Sequence, residues 1–171
     1  AYDRCVEDRT PVVVSVSGPP GIGKSRLARE LVGRLVLQRG APMLLRLRPV
    51  DPRSLIQGDY MQLRYVIADE AADARGLARS GALVIRLDAD GVAALVRVDD
   101  GRPLADGERR LRYRLRDGDL RLGAESFFFP EGTGDRYEAA AFGELVAVED
   151  GESVLVALRD ASRQRLGTPL H

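Results

Sequence analysis

The stretch "ALVIRLDADGVAALVRV" (82–98) decides the fold class. Two largely apolar runs flank Asp88-Ala89-Asp90-Gly91, and an Asp-Gly step between such runs is a strong short-range hairpin signal. The same grammar recurs downstream. "LRYRLR" and "LRL" flank "DGD" (117–119), and "ELVAVE" and "SVLVALR" flank "DG" (150–151). Three hairpins joined by two-residue turns predict an antiparallel sheet or partly closed barrel, in an α+β, mainly β domain.

Upstream, the period of two persists. "MLLRLRP" (43–49) alternates Leu45 and Leu47 against Arg46 and Arg48. "YMQLRYVI" (60–67) puts Met61, Leu63, Tyr65 and Ile67 on one strand face. Two short helical turns interrupt the pattern. In "VDPRSLIQGD" Asp51 can cap, Pro52 suits the first helical position and Gly58 can end the turn. In "GDRYEAAAFG" Asp135 and Glu138 have capping-box spacing, and Gly143 is the expected stop. The stretch 68–81 is the loosest connection, helical or mobile.

Before residue 40 the style changes. "PVVVSVS" (11–17) is a continuous β-branched run, as in a strand buried on both faces. "KSRLARELVGRLVLQR" (24–39) carries Leu27, Ala28, Leu31, Val32 and Leu35 at helical spacing, with Gly40 as the stop. Between them "GPPGIGKS" spells G-x-x-x-x-G-K-S through Gly18, Gly23, Lys24 and Ser25, with Gly21 inside the loop. In that pattern backbone N–H groups cradle phosphates, the lysine reaches the β- and γ-phosphates, and the serine hydroxyl ligates Mg²⁺. Two units are therefore expected: a strand–P-loop–helix unit at 1–40 and a β-rich domain at 41–171. The loop segment, about 10–36, resembles that of AAA-like and signal-transduction ATPases. A full ATPase also needs parallel strands and an acid at the end of an apolar strand. Asp88 is the candidate, but Arg86 interrupts its strand and the hairpin turn explains it.

Composition narrows the chemistry. Basic and acidic residues balance at 26 each, so no overall field favours a polyanion. Lys24 is the only lysine; every other cation is arginine. Cys5 and His171 stand alone, which excludes a disulfide, a multi-cysteine metal site and any histidine-based triad within these residues. No run approaches the roughly 18 apolar residues of a membrane span, and no signal peptide is apparent. Residue 1 is Ala rather than Met, which suggests that sequence has been removed upstream.

The tract "LRLRPVDPRSLIQGDYMQLRY" (45–65) carries a second resemblance. Gly58, Asp59, Tyr60, Leu63 and Tyr65 fill the fixed positions of the GDYXXLXY family of bacterial membrane-anchored proteins. "RPVDPRS" and "FFFPEGTGDRYEAAAFGEL" also resemble that family, over about residues 38–166. The resemblance implies a non-enzymatic envelope domain of undefined activity, held outside the cytoplasmic membrane beside a membrane-protein partner, with no cofactor. In this chain the P-loop unit stands where the family's anchor helix belongs.

Read from the residues, Gly58 and Asp59 shape a turn, Leu63 and Tyr65 belong to the core, and Tyr60 opens the strand on the other face. A functional version is a polar cluster of Asp51, Arg53, Asp59 and Tyr60 at one end of the sheet, holding a partner or small ligand. "SFFFP" (126–130) favours core, with a partner surface second. A serine–lysine peptidase fails, because Val50 stands where the nucleophile belongs and no lysine follows. Arg110, Arg112, Arg114 and Arg116 share one strand face, but neighbouring acids and the zero net charge favour a solvated face over nucleic acid. Two further readings stay open. One is an ATP- or GTP-binding protein working with Mg²⁺, an NTPase if catalytic and cytoplasmic in that case. The other is a fusion whose P-loop segment is inactive.

Overall fold

A computed structural model describes residues 33, 36–48, 56–57, 60–73 and 77–167. The P-loop residues Gly18, Gly21, Gly23, Lys24 and Ser25 lie outside them, as do Asp51, Arg53, Gly58 and Asp59. Residues 36–39 are helical, and the chain then enters a succession of strands. They are β1 (Ala41–Arg46), β2 (Ile56–Gln57), β3 (Tyr60–Gln62), β4 (Ser80–Leu87), β5 (Ala93–Val98) and β6 (Glu108–Arg116). β7 (Asp119–Arg121), β8 (Ser126–Phe128), β9 (Phe142–Ala147), β10 (Ser153–Arg159) and β11 (Arg165–Leu166) follow. A further α-helix, α1 (Val66–Ala72), and a 3₁₀ turn (Gly134–Tyr137) complete the described elements.

The strands form three antiparallel sheets, ordered β1-β9-β10-β11, β2-β3-β8 and β5-β4-β6-β7. They curl into half-barrels, so the mainly β, antiparallel expectation holds. Single backbone contacts join the sheets. The Leu44 N–H donates to Gly91 O (2.9 Å), Arg112 N–H to Gly151 O (2.9 Å) and Arg48 N–H to Arg64 O (2.8 Å). The apolar faces enclose one cluster, with Leu45, Leu83, Ile85, Leu111, Leu145 and Leu158 fully buried. A smaller cluster of Leu44, Val92 and Phe142 lies apart from it. Leu44 pairs with Glu144, and Phe142 with Arg46 and Arg159. Strand alternation puts Leu44, Arg46, Phe142, Glu144 and Arg159 on the outer face of the first sheet, where Val92 meets Leu44.

The Asp-Gly hairpins form where expected, with two turn geometries. Asp117 and Gly118 make a two-residue loop with φ of 54° and 86°, between partners Arg116 and Asp119. Turns with two positive φ values match the twist of the strands they join. At 88–92 and 148–152 the loops are longer: Asp88 N–H donates to Val92 O, and Val148 N–H to Glu152 O. Gly91 and Gly151 occupy the left-handed position in each. Asp88 Oδ1 also accepts from the N–H groups of Asp90 and Val92, at 2.9 Å each, so it is a turn former.

Three local expectations are corrected. The strand expected over 60–67 stops at Gln62, and α1 starts at Val66. Ile67 and Ala71, four apart, both face the core, so a helical period begins inside what reads as alternation. No side-chain cap forms at 134–137: Thr133 precedes the turn, and Glu138 N–H donates to the Asp135 carbonyl. Gly143 is not a stop but the second residue of β9. A Cβ there would stand 3.0 Å from the Tyr65 ring and 3.1 Å from its hydroxyl.

Candidate functional site: the motif corner and its arginine-rimmed clefts

Of the five motif residues, the structure describes Tyr60, Leu63 and Tyr65. Leu63 and Tyr65 are buried at 2% exposure each. Leu63 is held by its N–H to Glu125 O, and the Tyr65 hydroxyl donates to Ala124 O at 2.6 Å. One tripeptide thus fastens itself to a segment 59 residues away in the chain. Burial, with Glu125 nearby, pushes the Tyr65 hydroxyl far above its ordinary range, so it stays a neutral donor. Leu47 bridges to Tyr65, which ties β1 to the same corner.

Tyr60 is different. It pairs in register with Phe128 of β8, and the two rings sit 5.7 Å apart at a tilt of 36°. Phe127 and Phe129 are core residues, whereas Phe128 is 65% exposed. The triple phenylalanine is thus divided by strand alternation, with the middle ring placed beside the motif's first tyrosine. Asp51, Arg53 and Asp59, expected to cluster with Tyr60, lie outside the described residues.

Two clefts flank this corner, and Gln62 lines both. The smaller, about 370 Å³, runs between the end of β1, the segment after β3 and residues 137–141, with Arg46, Arg48 and Arg64 on its rim. Arg48 reaches Asp69 at 3.5 Å, and the Arg46 guanidinium lies 5.3 Å from the Phe142 ring centre. The larger, about 1420 Å³, follows the outward arginines of β6 toward Ser126. Among the described residues no group of three or more His, Cys, Asp or Glu could hold a metal ion. No described helix is long and apolar enough to cross a membrane.

One charged site escapes sequence reading. Glu144 is 4% exposed yet ionised. Arg165 grips it with Nε at 2.7 Å and Nη2 at 2.6 Å, and Arg159 Nε adds a third bond at 2.7 Å. The Arg165 hydrogen bond leads in holding this carboxyl down at about 2, with Arg159 assisting. The partners lie 15 and 21 residues away on β10 and β11, so only strand pairing assembles them. The alternation in "ELVAVE" marks a strand and gives no signal for an ion cluster.

The family model for GDYXXLXY proteins matches residues 33–158, most of the chain. The chain belongs to the GDYXXLXY family. The matched region of this GDYXXLXY protein takes in helical residues 36–39, both clefts' rims and the Tyr60–Phe128 pair. Neither the curated proteins nor the solved structures give a match.

Proposed function

We propose that this GDYXXLXY protein is a non-enzymatic, envelope-associated module that holds a membrane-protein partner through its Tyr60–Phe128 surface. The observation that carries the reading is the division of labour within the motif. Leu63 and Tyr65 are spent on packing, while Tyr60 supports a phenylalanine that water largely surrounds. A ring left exposed on a strand gains on the order of 2 kcal/mol when a partner covers it, and a paired aromatic anchor is a common centre of binding energy. The membrane partner and the envelope setting come from the family resemblance. In cells that make the chain, a photo-cross-linking residue at position 128 is expected to give a membrane-fraction adduct. The same residue at Val96, exposed on β5, is expected to give none. Equal labelling from both positions would sink the reading.

A second reading rests on the sequence "GPPGIGKS" alone: Gly18–Ser25 hold ATP or GTP with Mg²⁺. Titration with labelled ATP and Mg²⁺, beside Lys24→Ala, decides it. Micromolar binding lost in the variant favours nucleotide, and no saturation at millimolar ATP removes it.

A further inference from the structure

We infer that the larger cleft binds an acidic, extended polypeptide segment; this deepens the partner-binding reading and rests on it. Six arginines line the cleft: Arg79, Arg110, Arg112, Arg114, Arg116 and Arg121. Their pairing is uneven. Arg110 is held by Asp99 at 2.6 Å, Arg121 by Asp119 at 2.9 Å, and Arg112 by Asp150 and Glu152 at 3.2 and 3.3 Å. Arg116 lies 4.0 Å from Asp117, both almost fully exposed. Exposed Arg79 and Arg114 have no carboxylate partner among the described residues. Both sit where β4 and β6 pair, Arg79 just before Ser80, whose register partner is Arg114.

A second observation points to a ligand in the same place. Ser153, at the start of β10, is among the lining residues, and its hydroxyl, turned away from solvent, has no hydrogen-bond partner. A buried hydroxyl left unmet costs free energy, which rotation of the side chain toward a bound acceptor would recover. Two uncommitted guanidinium forks and one waiting hydroxyl suit carboxylates spaced along an extended chain. The cleft then continues through Gln62 and Ser126, which share a strand face with Tyr60 and Phe128. An apolar side chain of the same segment can cover the aromatic pair. Nucleic acid fits less well: Asp117, Glu125, Asp150 and Glu152 interrupt the arginine row, so it offers separate cation positions that discrete carboxylates can match and an unbroken phosphate backbone cannot.

The test is fluorescence anisotropy of a labelled Glu-rich peptide titrated with the full chain at physiological salt. Saturable binding is expected, weakened roughly tenfold or more in the double variant Arg79→Glu/Arg114→Glu. Ser153→Ala removes a hydroxyl with no partner to lose and is expected to weaken binding by about threefold. It carries the test if the double variant does not fold. Arg102→Glu, the same charge change on the β5–β6 loop, is expected to leave affinity unchanged. The inference is overturned by absence of saturation, by equal loss from Arg102→Glu, or by tighter binding of a single-stranded oligonucleotide at the same arginines. Peptide binding that fails while the position-128 adduct persists removes the cleft and leaves the partner reading standing. Peptide binding at the cleft with no such adduct removes the Tyr60–Phe128 reading instead.

Discussion

Glu144 shows how a single side chain can tie three strands together. Its carboxylate lies on β9 and its cations on β10 and β11, so the pair cannot form until the strands are in register. Its folded-state pKa of about 2 lies below the ordinary value of 4.5. A depressed carboxyl stabilises the fold above the unfolded value, and the stabilisation is lost as pH falls through the folded one. The window is therefore pH 4.5 down to about 2, and the contribution is on the order of 2–3 kcal/mol. Urea unfolding of Glu144→Gln is expected to show a lower midpoint than the parent at pH 7, and a much smaller fall on acidification through that window. Parallel pH profiles for the two proteins would refute it. Little of this was visible in the sequence. Leu45, Leu63 and Tyr65 declare themselves as core by alternation alone, whereas Glu144 occupies an outward position where an exposed charge is the ordinary expectation.

At the scale of elements, the turns were the most legible part. Asp-Gly chemistry is local, so the sequence pattern alone locates the hairpins at 88–91, 117–118 and 150–151. Less legible was the fourth hairpin, from β10 to β11, because its left-handed residue is Arg163, with φ of 65°. It repeats the bonding of the 88–92 and 148–152 turns: Asp160 N–H donates to Gln164 O, and Arg163 N–H to Asp160 O. Arg163 also pairs with Asp90 at 3.1 Å, both half-exposed. A non-glycine residue in that conformation costs roughly 1 kcal/mol, whereas an exposed pair contributes at most about that and often less. Arg163→Gly is thus expected to raise the unfolding free energy by about 0.5 kcal/mol, read from the urea midpoint. A clear loss would mean that the Asp90 pair outweighs the strain. The start of α1 failed for the opposite reason. "LRYVI" satisfies a period of two through Tyr65 and Ile67, and the helical partner Ala71 lies beyond that window.

For the molecule as a whole, the instructive junction is Gly40. Its N–H donates to Val36 O at 2.7 Å, and a Cβ there would stand 2.5 Å from Val146 and 2.6 Å from the Val36 carbonyl. The helix end therefore lies against β9, and Val36 is 2% exposed. Sequence style alone suggests a seam at residue 40, where the period changes. A chain beginning at residue 41 is expected to lose about 2 kcal/mol relative to the full chain, mostly from Val36 burial. An unchanged urea midpoint would make residue 40 a true boundary.

The three sheets meet through few main-chain bonds, and this separates two kinds of strength in the molecule. Along each ladder, rigidity is peptide-to-peptide; across the joints between Leu44 and Gly91, Arg112 and Gly151, and Arg48 and Arg64, it depends mainly on interlocked side chains. Such an object resembles a hinged shell more than a closed tube. A partner pressing on Phe128 or drawn along the arginine row would transmit force to the joints first, so that the sheets shift as plates while their ladders remain intact.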